Sequence, residues 1–299
     1  NHPALPGYVS QQTPCGIAGY TPSAAELALA RRVAISFGPP RQAAPEPRLH
    51  AVYLMGSSGT LGHSDGSDLD IWICYPEELD AAELGLLARK AAELQQWAAG
   101  IGLEAHLFLM NGEKFKRGQR EALTGENCGS AQHYLLLDEF YRTAILLAGR
   151  MPAWWLIPPG HERHYDEYCS RLVRKRYAGR AGLVDFGGIA ELPAGEFLGA
   201  GIWQLYKAID SPYKSVLKLL LFEVYAADHP AAACLSADYK RAVCAGLEDI
   251  DELDPYVMVY RRIERHLLAR EQPARLEIVR RCLYYKAGKK LSQPPRAGK

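Results

Sequence analysis

A run of glycine, serine and aspartate from Gly56 to Ser67 lies between two apolar segments and constrains the fold more than any other feature of the chain. The segment before it, His50–Met55, and the segment after it, Leu69–Tyr75, both have the length and apolar character of strands. The run itself has few apolar anchors, which is typical of a loop. The sequence therefore requires two strands joined by a glycine-rich loop.

Helical and extended patterns alternate around these two strands. The pair Thr21-Pro22 predicts the start of a helix that continues to about Ile35. Leucine and alanine recur at helical spacing over Glu77–Ala99, Leu103–Met110 has the pattern of a third strand, and Gln132–Leu147 is predicted to be another helix. The order strand, loop, strand, helix, strand predicts an α+β domain.

Prolines mark a boundary near Arg150, where Pro152, Pro158 and Pro159 follow within a few residues. After this point the patterns are mainly helical. The predicted architecture is a mixed sheet with flanking helices and an N-terminal helical extension over residues 1–150, and a C-terminal helical domain over residues 151–299 that completes the ligand site.

The composition excludes several classes of partner. Lys and Arg total 35 against 34 Asp and Glu, a formal net charge of +1, so no generally basic surface for nucleic acid is expected. No apolar run approaches the roughly 20 residues of a membrane span. Seven cysteines without a C-x-x-C pair, and no visible secretory leader, predict reduced thiols and a cytoplasmic location.

The glycine-rich loop matches neither of two familiar phosphate-binding motifs. A Walker A loop needs a lysine before Ser or Thr, and the loop contains none. A dinucleotide fingerprint needs G-x-G-x-x-G, whereas Gly56, Gly59 and Gly62 are spaced G-x-x-G-x-x-G. Any phosphate chemistry here must use another arrangement.

Asp68 and Asp70 supply that arrangement at the start of the second strand. Residues two apart on a strand share a face, so both carboxylates point the same way while Ile71 and Ile73 point to the core. Paired hard oxygen ligands suit Mg²⁺ or Mn²⁺ shared with substrate phosphates. An isolated D-x-D is commonly a solvated turn, but Gly56-Ser57 lets backbone N–H groups approach the same phosphates.

Glu104 lies on the third strand, on one face with His106 and Phe108. A two-ion site for in-line displacement commonly uses a further carboxylate on a neighbouring strand, and Glu104 is the candidate. The alternative is a solvated glutamate at a sheet edge.

Two other polar or aromatic residues have simpler explanations. Trp72 shares the aspartate face and is expected chiefly to pack. Arg142 is expected to pair with Asp138 or Glu139.

These residues resemble the nucleotidyltransferase fold of DNA polymerase β and its relatives, and more closely the catalytic domain of class I bacterial adenylate cyclases. The resemblance extends over nearly the whole chain. The stretches that carry it are Tyr53-Leu54-Met55-Gly56-Ser57, Ser67-Asp68-Leu69-Asp70-Ile71-Trp72-Ile73-Cys74, Asn1-His2-Pro3-Ala4-Leu5-Pro6-Gly7-Tyr8, Leu135-Leu136-Leu137-Asp138-Glu139-Phe140-Tyr141-Arg142-Thr143-Ala144, and Trp203-Gln204-Leu205-Tyr206-Lys207-Ala208-Ile209-Asp210-Ser211-Pro212-Tyr213-Lys214.

The resemblance implies that ATP is converted to 3′,5′-cyclic AMP and diphosphate with Mg²⁺ or Mn²⁺ at a two-ion site. Gly56 and Ser57 would hold phosphates, and Asp68 and Asp70 would bind metal. Glu104 occupies the place of a third acid, where the fold often has aspartate. Family members are usually longer, so the chain is expected to be the catalytic part of an enzyme with a regulatory C-terminal region or a regulatory protein.

The helical half is expected to contribute positive charge to the triphosphate. Asp210-Ser211-Pro212 predicts a helix start, with Lys214 in the first turn and Lys218 one turn later. Helix N-termini favour anions, so Ser211 and Lys214 are candidate phosphate contacts, with Lys207 and Lys218 beside them. From spacing alone, a solvated lysine face explains the same pattern.

Two other functions compete with a cyclase. The first is a nucleotidyltransferase that passes a nucleoside monophosphate to a separate small-molecule acceptor, using the same Gly-Ser and D-x-D residues. The second is a catalytically silent nucleotide-binding module. Loss of one aspartate would be its simplest sign, and both aspartates are present.

Overall fold

The structure is a computed structural model that describes residues 1–38, 46–119, 132–175, 179, 182–230 and 232–288. The chain divides into two compact units that are interleaved in sequence. The sheet unit contains Asn1–Gly56, Asp68–Gly129 and Ala144–Ala190, and the helical unit contains Ser57–Ser67, Ser130–Thr143 and Glu191–Lys299. The predicted division between residues 150 and 151 remains a prediction.

Four strands form the mixed sheet of the first unit. They are β1 (Ala51–Met55), β2 (Leu69–Cys74), β3 (Ala105–Met110) and β4 (Ile145–Gly149), in the order β3-β2-β1-β4. β1 is antiparallel to β2 and β4, whereas β2 and β3 are parallel. The end of β1 and the starts of β2 and β3 therefore lie at the same edge of the sheet. The predicted α+β class with a mixed sheet is confirmed.

The fourth strand was not expected, because its residues were assigned to the end of a helix. Helix α4 (His133–Thr143) stops at Thr143, and the predicted continuation to Leu147 is wrong. Leu146 pairs with Tyr53 and Ile145 with Leu54 on β1. The periodicity of a short apolar run is compatible with either a helix or a strand. Here the pairing with β1 makes residues 145–149 a strand.

The first two helices begin later than their sequence patterns suggested. Helix α1 (Ala24–Val33) is capped by Ser23 rather than Thr21, and helix α2 (Ala81–Gly100) is capped by Asp80. In each case the cap accepts a hydrogen bond from the backbone N–H of a glutamate three residues later, whose carboxylate accepts one from the cap's own N–H. This reciprocal capping box fixes both starts.

One face of the sheet packs against α2. The buried core there includes Ile73, Tyr75 and Leu87, and both Leu107 and Ile71, which was predicted to face the core, pack against it. Leu103, the first residue of the predicted third strand, is 46% exposed. It precedes β3, and its backbone N–H donates to the carbonyl of Ala98 at the end of α2.

The opposite face carries an aromatic cluster. Trp72 is 2% exposed, and its ring centroid lies 5.9 Å from Phe115 on helix α3 (Gly112–Lys116) and 5.5 Å from Phe186. Tyr53 lies 6.3 Å from Phe186. The expectation that Trp72 chiefly packs is confirmed.

Phe186 reaches this cluster from a segment that is fastened to the sheet unit. Two short parallel strands, β5 (Met151–Pro152) and β6 (Leu183–Val184), pair just before it. The next residue, Asp185, accepts hydrogen bonds from Lys116 at 2.7 Å and from the Tyr165 hydroxyl at 2.8 Å. Tyr165 begins helix α5 (Tyr165–Arg174). Asp185, the residue before Phe186, is thus hydrogen-bonded to the two helices α3 and α5.

The helical unit contains α4 and six further helices among the described residues. They are α6 (Ala194–Lys207), α7 (Pro212–Asp228), α8 (Leu235–Cys244), α9 (Ile250–Leu253), α10 (Pro255–Ala269) and α11 (Pro273–Ala287). The predicted helix start at Asp210-Ser211-Pro212 is confirmed. Helices α7, α10 and α11 pack on one another through Leu221, Ile263 and Val279, which are each at most 2% exposed.

Buried polar residues join α4 to its neighbours in the helical unit. Asp138 accepts hydrogen bonds from the Tyr225 hydroxyl at 2.9 Å and from the backbone N–H of Ser236 at 2.8 Å. Glu196 of α6 accepts from the backbone N–H groups of Tyr134 and Leu135 at the start of α4. Since these carboxylates are buried, removing either one would leave buried donors unsatisfied.

No helix among the described residues is long and apolar enough to cross a membrane. The cysteines in the described part of the chain are free thiols, as predicted, and Cys128 lies outside it.

Substitution of Gly149 tests the close approach of β4 to the residues at the start of β1. Its φ is +97°, and a Cβ there would overlap the His50 carbonyl and lie 2.6 Å from Ala51 Cα. We expect Gly149→Ala to lower the free energy of unfolding by about 2–4 kcal/mol. Gly85→Ala is the control, because Gly85 is exposed within α2 with open space around it. It should be neutral or stabilising by up to about 1 kcal/mol. Urea unfolding followed by circular dichroism distinguishes the two, and equal effects would contradict the close approach.

Candidate active site

The sheet edge where β1 ends and β2 begins carries the predicted metal ligands. Met55 pairs with Asp70 across the two strands, and the chain turns at Gly56 with a φ of +98°. A Cβ on Gly56 would lie 3.5 Å from Asp70 Oδ2. Glycine is favoured here because L side chains rarely adopt this backbone conformation. The turn therefore brings backbone close to a carboxylate.

Asp68 and Glu104 are neighbours across the start of the parallel pair β2–β3. The N–H of Leu69 donates to the carbonyl of Glu104 at 2.9 Å, and Asp70 is in register with His106. Glu104 Oε1 lies 3.3 Å from His106 Nε2, and the glutamate side chain is 69% exposed. The structure thus places Asp68, Asp70 and Glu104 at one sheet edge, with Glu104 the most exposed of the three.

The donor chemistry at this edge fits a divalent cation, because carboxylate oxygens are the ligands that Mg²⁺ and Mn²⁺ prefer. Asp68 and Asp70 are both half-buried. Within the described ranges, however, no three His, Cys, Asp or Glu side chains are gathered closely enough to form a metal site by themselves. The two aspartates are the core of the candidate site, and the role of Glu104 remains a prediction.

The glycine-rich loop Ser57–Ser67 belongs to the helical unit. Its first turns are closed internally, since both the N–H and the hydroxyl of Thr60 donate to the carbonyl of Ser57, at 3.1 and 2.6 Å. The hydroxyls of Ser57 and Ser58 are buried and make no hydrogen bond with any residue that the structure describes. Unpartnered buried donors at a predicted phosphate loop are suited to a ligand that accepts hydrogen bonds.

The start of α7 carries the predicted phosphate contacts of the helical unit. Ser211 is the N-cap and is exposed, and its side chain makes no capping hydrogen bond. Lys214 is half-buried in the first turn. Lys207 ends α6, with its ammonium 5.2 Å from the centre of the Trp203 ring. These three residues are close in the chain at the junction of α6 and α7.

Lys218, one turn further along α7, has a partner within the protein. Its ammonium lies 2.8 Å from Glu139 on α4. Burial by itself raises the pKa of Glu139, but the positive charges of Lys218, Arg142 and Lys214 outweigh it and lower that pKa to about 2. Lys218 is therefore part of a partly buried ion pair, and a phosphate contact for it remains a prediction.

Arg142 completes this cluster on α4. Its Nε lies 3.6 Å from Asp138 Oδ2, which confirms the predicted pairing, and the side chain is only 8% exposed. Burial lowers the pKa of Arg142, but Asp138 and Glu139 more than offset this and raise it. Among the described residues, the cluster brings the three cations Lys214, Lys218 and Arg142 together with the two acids Asp138 and Glu139.

Sequence reasoning missed Asp254, which bonds to the glycine-rich loop. Its carboxylate accepts a hydrogen bond from the N–H of Leu61 at 2.6 Å. The pair Asp254-Pro255 is a recognisable helix start, so α10 could have been placed from the sequence. Its contact with a loop almost two hundred residues earlier in the chain could not.

Comparison with known proteins identifies the family. A family model described as "Adenylate cyclase NT domain" matches residues 1–155, and one described as "Adenylate cyclase, class-I, second domain" matches residues 192–299. The first match alone covers more than half of the chain.

The chain belongs to the class I adenylate cyclase family.

Adenylate cyclases from enterobacteria are similar over nearly the entire chain. Those of Salmonella typhimurium (strain LT2) and Escherichia coli (strain K12) are 43% identical over 295 and 299 residues, and that of Yersinia pestis is 40% identical over 297. These alignments cover 98–99% of this chain. The chain spans 35% of the length of each of these relatives.

Among solved structures, a spectinomycin adenyltransferase from Enterococcus faecialis, crystallised with ATP and spectinomycin, is similar with a TM-score of 0.33. The alignment has 12% sequence identity and covers 81% of this chain and 92% of that one. A similarity this weak supports no conclusion about the class I cyclase chain.

The partly buried pair Glu139–Lys218 predicts a pH-dependent contribution to stability. Glu139→Gln leaves the Lys218 ammonium without its counter-charge, which should cost about 1.5–3 kcal/mol at pH 7. Because the folded pKa of Glu139 is lowered from 4.5 to about 2, its stabilisation is complete above pH 4.5 and declines as the pH falls towards 2. The difference in unfolding free energy between wild type and variant should therefore shrink over that interval.

Urea titrations at several pH values measure this difference. Glu277→Gln is the matched control, since Glu277 pairs with Arg281 on the surface of α11 and both side chains are more than half exposed. Removing such a pair should cost at most about 1 kcal/mol. If Glu139→Gln behaves like Glu277→Gln, the Glu139–Lys218 pair does not stabilise the fold as described.

Proposed function

We propose that this chain converts ATP into 3′,5′-cyclic AMP and diphosphate. The observation that supports this most is the position of Asp68 and Asp70 beside Gly56 at one sheet edge, in a chain of the class I adenylate cyclase family. The named relatives are almost three times as long, so activity of this chain by itself is part of the proposal.

In the proposed reaction, the ribose 3′-oxygen attacks the α-phosphorus in line, and the bond between that phosphorus and the diphosphate oxygen breaks. The hydroxyl proton passes to solvent water during the attack. Nucleophile and electrophile belong to one molecule, so the protein must hold ATP folded rather than bind a second substrate. The work of the chain is to position the triphosphate and balance its charge.

Asp68 and Asp70 would hold the divalent cation, Mg²⁺ or Mn²⁺, and Glu104 would join them in a two-ion site. Bound ions supply charge neutralisation at the departing diphosphate and acidity at the 3′-hydroxyl. Glu104 is exposed and bonded to His106, which leaves its carboxylate accessible from solvent. Both neighbouring strand starts would thus contribute oxygen ligands.

Gly56 and Ser57 would contact the phosphates through backbone N–H groups and the free Ser57 hydroxyl. Lys207, Ser211, Lys214 and Lys218 are the candidates from the helical unit. Of these, Lys214 is the best supported, because it lies in the first turn of α7 where the helix dipole also favours an anion.

The central test is product formation with an aspartate variant. Purified chain incubated with ATP and Mg²⁺ or Mn²⁺ should yield cyclic AMP on anion-exchange chromatography. Asp70→Asn should lower kcat about a thousandfold or more, since charge stabilisation by a metal ligand amounts to several kcal/mol. Asp65→Asn, in the exposed part of the glycine-rich loop, is the matched control and should retain wild-type activity.

The same chromatograms distinguish the competing functions. Nucleoside monophosphate attached to an added acceptor would indicate a nucleotidyltransferase and would contradict the proposal. ATP left unchanged under all metal conditions would also contradict it. Circular dichroism of Asp70→Asn confirms that any loss of activity is not a loss of fold.

Lys214 is tested by a neutral substitution of similar length. Lys214→Gln should raise the KM for ATP about tenfold, because a charge-assisted hydrogen bond to phosphate contributes about 1.5–3 kcal/mol. The increase should be smaller at high salt, where the wild-type contact is itself screened. Lys114→Gln removes the same charge from α3 in the sheet unit and should leave the KM unchanged; equal effects would rule out the assigned contact.

A further inference from the structure

The glycine-rich loop Ser57–Ser67 is fastened to the start of helix α10 by one carboxylate. Asp254 Oδ1 accepts hydrogen bonds from the backbone N–H groups of Tyr256 and Val257, at 2.8 and 3.1 Å, and so caps α10. Asp254 Oδ2 accepts the N–H of Leu61 at 2.6 Å. A single side chain thus holds both the helix start and the loop.

A second contact closes the loop onto the same helix. Gly62 is buried against Tyr256, and a Cβ on Gly62 would lie 2.6–2.8 Å from three atoms of the tyrosine ring. Real Cβ atoms do not approach other atoms so closely, so only glycine fits here without a shift. Leu61 and Gly62 therefore form one anchored point in the loop.

The anchored point is linked to Ser57 through the loop's own hydrogen bonds. Gly62 N–H donates to the Thr60 hydroxyl at 3.2 Å, and that hydroxyl donates to the Ser57 carbonyl at 2.6 Å. His63 N–H donates to the Thr60 carbonyl at 3.1 Å. Hydrogen bonds of the Thr60 hydroxyl therefore connect the anchored point to the Ser57 carbonyl, so a displacement of Leu61 and Gly62 is transmitted to the Ser57 backbone.

We propose that Asp254 is a positioning residue for nucleotide binding, which holds the phosphate-binding end of the loop in place through Leu61. This inference rests on the proposed function, because it assumes that Ser57 contacts the phosphates of ATP. Asp254 itself touches no substrate in this proposal. Its effect is to order the loop before the nucleotide arrives, which lowers the ordering cost of binding.

The substitution Asp254→Asn separates the two roles of the side chain. Asparagine caps helices about as well as aspartate, so its carbonyl oxygen can replace Oδ1 at the start of α10. Its amide NH₂ cannot accept the Leu61 N–H, because it is a donor. Asp249→Asn is the matched control, since Asp249 caps α9 through the N–H groups of Asp251 and Glu252 and makes no described bond to the loop.

We expect Asp254→Asn to raise the KM for ATP about tenfold with kcat within about twofold of wild type, because the same phosphate contacts are weakened in the ground and transition states. Hydrogen exchange at the Leu61 amide should be at least about tenfold faster, with the melting temperature close to that of Asp249→Asn. Asp249→Asn should leave KM and Leu61 exchange unchanged.

A glycine pair within the loop tests the anchor independently. Gly62→Ala should raise the KM in the same way as Asp254→Asn, because the added Cβ displaces the loop from Tyr256. Gly66→Ala should not, because a Cβ on Gly66 meets no atom within 4 Å and its backbone is unstrained. A structural role alone would lower the melting temperature without this selective change in KM.

The outcomes separate this inference from the proposed function. Binding of a non-hydrolysable ATP analogue with Mg²⁺, measured by calorimetry, replaces KM if the wild type produces no cyclic AMP. A tenfold weaker Kd in Asp254→Asn then supports the anchor while the cyclase proposal fails. Unchanged Leu61 exchange, or faster exchange with unchanged KM and Kd, overturns the inference, as does a wild type that binds no analogue.

Discussion

The direction of three strands is the constraint on which the candidate site depends. Because β1 runs antiparallel to β2 and β2 runs parallel to β3, the end of one strand and the starts of two others share a sheet edge. The hydrogen-bonded register of the strands brings Gly56, Asp70 and Glu104 to that edge. A shift of one residue in β2 would turn Asp70 to the α2 face and Ile71 to the site.

That register is secured by packing on both faces of β2. Ile73 is fixed in the core beneath α2, and Trp72 is fixed among Phe115 and Phe186 on the opposite face. The half-buried aspartates occupy the other end of the same strand. Hydrophobic burial at one end of β2 therefore holds two like charges close together at the other end, and a bound cation would offset their repulsion.

Local patterns predicted the parts of the molecule that are decided locally. The glycine-rich loop, the D-x-D strand and the start of α7 follow from turn composition, strand alternation and helix capping around Gly56, Asp68 and Pro212. β4 was missed because Ile145–Gly149 is an apolar run whose conformation is settled by pairing with β1. Asp254 was missed for the same kind of reason, since its bond to Leu61 joins residues far apart in sequence. Long-range contacts leave no periodic signal in a single sequence.

The position of Phe186 shows that the segment between the two family matches contributes to the core of the sheet unit. It lies between the two family matches, which end at residue 155 and resume at residue 192, and yet it covers Trp72 and Tyr53 in the core of the sheet unit. A fragment cut at the end of the first match would lose β6, Asp185 and Phe186 together. Its sheet would present an uncovered aromatic surface to water, so the intervening segment is part of the folding unit and not a linker.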